Sequence, residues 1–309
     1  MIITVTLNPA IDKTVTIPNF KTGEVNRIET LRSDVGGKGI NVSKCLQNLG
    51  TKSTAAMILA GNTGDRLEEM LQELEIPVLQ LRAEGQSRTN LKIIDPCKKE
   101  NTDINEPGPV VSEGLLEAMK FAIGSRVKSG DIVILSGSLP AGVDKGLYGH
   151  WITYFRSLGV CVYLDADGEP MHKGMAAVPY MIKPNDAELA ALVGKPSLTA
   201  EEMLQEGKRL HDTGIEEVVI SLGGDGALFI SRDGIFRAEG LQVEVKSTVG
   251  AGDSMVAAMA YAHAENLSRE TRIRLAVAMG AASVMQDGTQ PPESALVWEL
   301  AKGVKIKKL

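Results

Sequence analysis

Aromatic residues make up only 4% of the 309-residue chain, too few for the stacking platforms that spread single-stranded nucleic acid. Cysteine is scarcer still. Cys45, Cys97 and Cys161 are odd in number and lack paired spacing, which argues against a disulfide framework or a zinc site and fits a reducing cytoplasm. No apolar run reaches the length of a membrane span, and Ile2–Leu7 reads as a core strand rather than a signal peptide. Positive charge is not in excess: the net charge is −6 and the pI near 5.4, so nothing draws the protein to nucleic acid or an anionic membrane. Three common motifs are missing as well. The absence of Gly-x-x-x-x-Gly-Lys-Ser/Thr excludes an ordinary P-loop, and the absence of Gly-x-Gly-x-x-Gly after the first strand disfavours a dinucleotide-dependent oxidoreductase. No Gly-x-Ser-x-Gly elbow occurs. His150, His172, His211 and His263 have no metal-ligand spacing.

What is present is a soluble α/β composition, 43% hydrophobic with 32 glycines and 23% charged residues. Strand and helix patterns alternate along most of the chain. A strand over 2–7 leads through Asn8-Pro9 to strand-like pieces at 13–17 and 27–33. A helix follows from about 40 to 49, ending on Gly50. Strand 53–59, helix 65–74, strand 77–81, short strands at 89–95 and 101–106, helix 113–127 and strand 131–136 come next. Helix 145–157, strand 160–164, strand 180–182 and helices 186–193 and 200–212 continue the rhythm, the last opening on a Thr199/Glu202 capping box. Strand 217–222, three short strands to about 246 and helices at 252–265, 270–286 and 294–301 complete it. The basic tail Lys302–Lys308 reads as a solvated end. Such alternation predicts a mainly parallel sheet covered by helices on both faces, with ligands beyond the carboxyl ends of its strands. Four strands break the rhythm and predict a small separate sheet, a lid formed by insertions at about 12–34 and 86–107 on a single domain spanning 1–309. Such a lid would exclude water from a reaction beneath it.

Glycine-rich segments converge just after predicted strands. The central one is Ser247-Thr248-Val-Gly250-Ala251-Gly252-Asp253-Ser254, running into a helix of small apolar residues. A helix start offers unpaired N–H groups and the positive end of the dipole, an anion hole suited to phosphoryl transfer. Asp253 inside that hole is either an N-cap or a general base that takes a proton from an attacking hydroxyl. Gly36-Gly37-Lys38-Gly39-Ile-Asn41 admits a small ligand close to the backbone, with Asn41 offering donor and acceptor to a polyol. Asp12 is a candidate acceptor for sugar hydroxyls. Arg27, Lys38, Arg88 and Lys92, with Asn90 between the last two, could receive a phosphate already on the substrate. Lys183-Pro-Asn185-Asp-Ala-Glu188 places Asn185 and Glu188 on one face of a first helical turn, where they could orient magnesium through water or simply open a helix. Ser221-Leu-Gly223-Gly224-Asp-Gly226 admits a nucleotide or forms a glycine-rich hairpin.

Together these residues resemble the ribokinase-like (PfkB-type) carbohydrate kinases, over essentially the whole chain. Gly36–Ser43 is similar to that family's first signature and Thr248–Ser254 to its second, in the right order and separation. The resemblance implies a three-layer α/β/α core with a small β-sheet lid, ATP and Mg2+ as cofactors, and no nucleic-acid or membrane partner. It implies Asp253 as catalytic base and the amides of Gly250, Ala251 and Gly252 as the anion hole. Asp12, Gly37, Gly39, Asn41 and Asn90 would lie on the sugar. Lys38, Arg88 and Arg27 would meet its phosphate. Lys183, Asn185, Ser221, Gly223, Gly224, Gly226 and Thr248 would hold the nucleotide, with Asn185 and Glu188 near magnesium. Members often carry Asp where Ser247 stands and Phe where Met255 stands, departures that leave Asp253 untouched. Thr4–Asp12, Arg88–Asn90 and Asn105–Pro109 point to the branch acting on phosphorylated ketohexoses, with the 6-hydroxyl of fructose 1-phosphate as expected acceptor and tagatose 6-phosphate as the alternative. In that branch the lid sheets of two subunits pack together, so a homodimer is expected.

Overall fold

A computed structural model describes residues 1–309. In chain order the elements are β1 (Ile2–Thr6), β2 (Ala10–Thr16), β3 (Thr30–Gly36), α1 (Lys38–Asn48), β4 (Thr54–Ala60), α2 (Gly61–Glu73), β5 (Val78–Ala83), β6 (Arg88–Asp95) and β7 (Glu100–Asn105). Then come α3 (Glu113–Gly124), β8 (Ile132–Ser136), α4 (Leu147–Ser157), β9 (Cys161–Asp165), α5 (Gly168–Met175), β10 (Met181–Ile182), α6 (Asp186–Leu192), α7 (Ala200–Asp212) and β11 (Glu217–Ser221). A 3₁₀ turn at Gly223–Asp225 leads to β12 (Gly226–Ser231), β13 (Gly234–Glu239), α8 (Ala251–Ala264), α9 (Arg269–Val284), α10 (Ser294–Gly303) and β14 (Ile306–Lys308).

β1 is buried at every position, as a strand covered on both faces must be. It sits between β8 and β4, and the sheet runs β14-β13-β12-β11-β10-β9-β8-β1-β4-β5. The pairs from β5 to β11 are parallel, while β11 to β14 are antiparallel. One face packs on a core that includes Trp151, Ile152 and Phe155 of α4. The other packs on α1, α8, α9 and α10, where Leu46, Val256, Met279 and Val297 are buried. Three layers result. α8 is nearly all small apolar residues and packs closely on α9; a Cβ on Gly280 would stand 3.1 Å from Met255 Cγ, so the glycine permits that approach.

Four strands form a second sheet, β3-β2-β6-β7. β2 follows β1 after only Leu7–Pro9, so Asp12 stands on the second sheet two residues from its root. No helix is long and apolar enough to cross a membrane.

Three readings of the sequence need correction. Residues between β13 and α8 form no third short strand; the outer neighbour of β13 is β14, formed by the tail that the sequence presents as a solvated end. Alternating Ile306 and lysines suit an edge strand, where lysine also blocks further pairing, and Lys308 Nζ lies 5.6 Å from the Phe236 ring centroid. Helix α5 is absent from the sequence pattern because Gly168, Pro170 and Gly174 mask it. Pro170 occupies the first turn, where its absent N–H costs nothing. The second and third strands begin at Ala10 and Thr30 rather than 13 and 27.

Candidate active site

The carboxyl ends of β1, β8, β9, β10 and β11 open on one crevice. A cleft of about 430 Å³ there is lined by 21 residues of which one is hydrophobic. Asp253, Asn41, Asp12, Arg88, Asn90, Gly37, Lys38, Lys183, Asn185, Glu188, Ser221, Gly250 and Gly252 all border it, drawn from segments far apart in the chain. A second cleft of about 460 Å³ adjoins it, with nine hydrophobic residues among 20. Gly223, Gly224, Gly226, Thr248 and Ala251 line that one, with Val245, Met255, Val277 and Val284 supplying an apolar wall. Asn185, Ser221 and Gly252 border both clefts, so the glycine turn is the doorway between a polar chamber and a partly apolar one.

Asp253 stands at that doorway as the third residue of α8. Gly250 caps the helix with φ 83, a left-handed conformation that glycine adopts without strain. No side chain caps this helix, so Asp253 is not an N-cap. The residue is 6% exposed, and its carboxylate accepts from Asn41 Nδ2 at 2.8 Å. Burial is the main reason its pKa is pushed up to about 6, with the Asp165 charge adding to it and Asn41, Lys38 and Lys183 opposing it. A carboxylate titrating there is matched to taking a proton near neutral pH. Asn41, expected on the sugar, therefore also fixes the Asp253 carboxylate.

The polar chamber is short of donors. Thr6 Oγ1, Asn8 Oδ1, Asn41 Oδ1, Asn90 Oδ1 and Asp165 Oδ2 are buried without a hydrogen-bond partner, and all belong to residues bordering the cleft. Buried acceptors left unpaired are costly. A ligand bearing several hydroxyls would satisfy them. Asp12 Oδ1 accepts from Asn90 Nδ2 at 2.8 Å, and burial raises its pKa. Arg88 Nε donates to the Asn8 carbonyl at 3.0 Å.

Of the cations expected to share one phosphate, Lys38 and Arg88 border the polar cleft, whereas Lys92 and Arg27 do not. Lys38 Nζ lies 2.9 Å from Asp167 and 3.7 Å from Asp165. Burial would lower its pKa, but the two carboxylates overcome this and raise it. Lys92 borders a smaller adjoining cavity with Arg32. Arg27 is exposed and lies outside both clefts. Gly39 borders neither cleft; a Cβ there would stand 2.7 Å from the Val5 carbonyl, so its role is close packing of α1 on β1. Gly226 is similarly structural, with φ +93 and the Ala238 carbonyl occupying the space an ideal Cβ would take.

The sequence pattern does not single out Asp165 and Asp167, although both stand at or just past the carboxyl end of a predicted strand. Asp165 faces Lys38 and Lys183, each at 3.7 Å. Asn185 and Glu188 form a capping box: Asn185 Oδ1 accepts from the Glu188 N–H at 2.7 Å and Glu188 Oε2 from the Asn185 N–H at 2.8 Å. Burial raises the Glu188 pKa, while Lys38 overcomes burial to lower that of Asp167. No three acidic, histidine or cysteine groups converge as a ready-made metal cage. The unpartnered Asp165 Oδ2 and the second oxygen of Glu188 suit an ion that keeps much of its water and takes further ligands from phosphates.

Comparisons with known proteins agree with this geometry. Residues 5–296 match the pfkB family carbohydrate kinase. A curated 1-phosphofructokinase from Haemophilus influenzae is 35% identical over 99% of this chain and 97% of its own. The crystal structure of phosphofructokinase-2 from Escherichia coli in complex with fructose-6-phosphate superposes with a TM-score of 0.91 at 29% identity, covering 98% of each chain. Arabidopsis thaliana ribokinase, solved with ribose and ATP, superposes at 0.79 with 23% identity over 97% of this chain and 98% of its own, so the fold is ribokinase-like.

Proposed function

We infer the function from one premise: this chain belongs to the pfkB family of carbohydrate kinases. It is a phosphotransferase with an alcohol acceptor, and it transfers the terminal phosphoryl group of ATP to the 6-hydroxyl of fructose 1-phosphate, giving fructose 1,6-bisphosphate. The observation that carries the reading is Asp253, a buried carboxylate held by Asn41 where the polar and apolar clefts meet. The identity of the sugar follows the activity of the curated relative.

In this reading the ketohexose fills the polar chamber, its hydroxyls donating to Asp12 and the unpartnered asparagine oxygens, its phosphate against Arg88. ATP fills the second cleft, with bare backbone at Gly223 and Gly224 beside its phosphates and the Val245–Val284 wall against its base. Asp253 takes the proton of the 6-hydroxyl as the oxygen attacks phosphorus in line. The amides of Gly250–Gly252 face the charge that develops on the transferring group. Lys38 and Lys183 flank the path, both paired with Asp165 and Lys38 also with Asp167. Glu188 and Asn185 would hold magnesium through water, and the ion would supply neutralisation of phosphate charge. The small sheet acts as the lid. Its exposed apolar residues Val25, Ile28, Leu31 and Ile104 support packing against the same face of a second copy, a cytoplasmic homodimer.

The test is ADP release with ATP and magnesium, comparing fructose 1-phosphate, tagatose 6-phosphate, fructose 6-phosphate and fructose at matched low concentrations. Preference for fructose 1-phosphate is expected. Preference for tagatose 6-phosphate or fructose 6-phosphate would keep the mechanism and change the substrate; silence with all four, from folded chain that binds ATP, would overturn the kinase reading.

A further inference from the structure

Lys44 follows Asn41 by one turn of α1 and borders neither cleft. Its side chain is nearly enclosed, the residue being 5% exposed, and its ammonium donates to three oxygens, none of them a carboxylate: Val35 O at 3.2 Å, Thr289 O at 3.1 Å and Thr289 Oγ1 at 3.2 Å. A buried cation whose hydrogen-bond partners are all neutral is an expensive thing to fold around; burial lowers its pKa, with the charges of Asp34, Asp12 and Asp253 opposing from a distance. An apolar side chain of the same length would pack there at lower cost. The reason for a lysine is to be sought in what its three bonds join.

Val35 belongs to β3, paired with Ile11 and one residue from Asp34, which faces Asp12 across the ladder. It is the root of the small sheet on the side that presents Asp12 to the sugar. Thr289 belongs to the loop after α9 and packs on the glycine turn: an ideal Cβ on Gly250 would stand 3.6 Å from Thr289 Cγ2. The same strand meets the same loop twice more. Gln290 Nε2 donates to Asp34 Oδ1 at 2.6 Å, and the Arg32 guanidinium lies against Gly288. Those two contacts are at the surface, whereas the Lys44 contact is buried between them and the catalytic helix.

We propose that Lys44 is a positioning residue, clamping the root of β3 to the 287–290 loop and through Thr289 to the Gly250 turn, so that the sugar-binding and phosphate-binding halves of the site stay in register during transfer. Its kinetic consequence rests on the kinase reading; the clamp does not. A continuous chain of contacts runs from Asp12 through β3, Lys44 and Thr289 to the anion hole; Thr289 borders the polar cleft, whereas Lys44 itself borders neither cleft. Three donated bonds from one ammonium replace the covalent connection these two segments lack.

The test is Lys44→Met, which keeps length and removes charge and donors, followed by amide hydrogen exchange and by steady-state kinetics on the full chain. Exchange at 30–36 and 287–290 is expected to speed up together by about tenfold or more, the scale of one to two bonds to a charged group. Thermal stability is expected to hold, because the cost of burying the charge goes together with the three bonds it donates. Turnover is expected to fall about tenfold to a hundredfold with the KM for ATP within twofold. A residue that merely supports the fold would instead lower the melting temperature and leave turnover per folded molecule intact, and that result overturns the proposal. Unchanged exchange in either segment overturns it as well. Thr289→Val, which removes one acceptor and keeps the shape, should give the same pattern more weakly and carries the test if Lys44→Met does not fold. An unsubstituted chain that releases no ADP would sink the kinase reading while exchange still decides the clamp.

Discussion

Replacing Asp253 by asparagine should make the protein more stable and nearly inactive, and the gain should depend on pH. The carboxyl titrates at about 6 against an ordinary 3.8, mainly because it is buried. That difference corresponds to about 3 kcal/mol of free energy favouring the protonated form in the folded chain. Below pH 3.8 both states hold the proton and nothing is lost. As pH rises through the window from 3.8 to about 6, the unfolded chain releases its proton first, so the folded state loses stability; above about 6 the full cost persists. The replacement amide has no proton to lose and can still accept from Asn41 Nδ2. The variant should therefore match the parent near pH 4 and exceed it by up to about 3 kcal/mol at pH 8, a rise of roughly 5 °C for a chain of this size. Turnover should fall by about 10²–10⁴, the range of general-base catalysis, with KM for both substrates little changed. In the parent, kcat/KM should drop about tenfold per pH unit below 6. Thermal melts at pH 4, 6 and 8 beside an ADP-release assay test both halves. An offset in melting temperature that is the same at all three pH values would refute the burial argument, and turnover within tenfold of the parent would remove Asp253 from proton transfer.

Gly36→Ala should raise the KM for sugar phosphate roughly tenfold to a hundredfold and spare ATP, since an ideal Cβ would overlap Asp12 Oδ2 and push that carboxylate off its partner; equal effects on both substrates in steady-state assays would contradict the placement of Asp12. Glu188→Ala should cost about 1 kcal/mol in thermal stability through the lost half of the capping box and raise the magnesium concentration needed for half-maximal activity; an unchanged magnesium titration would take Glu188 out of the ion's surroundings. Ile28→Lys with Leu31→Lys should convert a dimer to monomer in sedimentation, because both are exposed apolar residues on the small sheet and its connecting loop; a sedimentation coefficient that does not move would place the interface elsewhere.

The parallel sheet, both helical layers and the second sheet were legible because buried strands and amphipathic helices write their periods into the chain. So was Asp253, through the glycines before it. The N-cap alternative could be dismissed only from coordinates, which show Asn41 rather than a backbone amide on the carboxylate. Asp165 and Asp167 carry no local pattern; they matter because β9 lies between β8 and β10 and so delivers them beside Lys38 and Lys183. Lys38 illustrates the reverse. Its glycine-rich setting marked it as a site candidate and it borders the cleft, yet its partners lie about 130 residues away in the chain, and only the fold turns it toward them. Arg27 shows the limit of reading charge alone, since it shares a sheet's neighbourhood with Arg88 without facing the same cleft.

The way the small sheet is strung on the core has a mechanical consequence. Its strands leave the core at Ala10, Gly36 and Arg88, and the side chains proposed to meet the sugar phosphate, Asp12, Arg88 and Asn90, all lie within two residues of those roots. At about 3.3 Å per residue, Asp12 is roughly 7 Å from the pivot and the far end of β2 roughly 20 Å. A rotation of the sheet about its roots by some 20° would thus sweep the outer edge through about 7 Å and move the Asp12 backbone by only a third as much. Such a rotation would make the sheet a lever with its grip at the fulcrum, with wide travel at the outer edge and small travel for the groups proposed to hold the substrate.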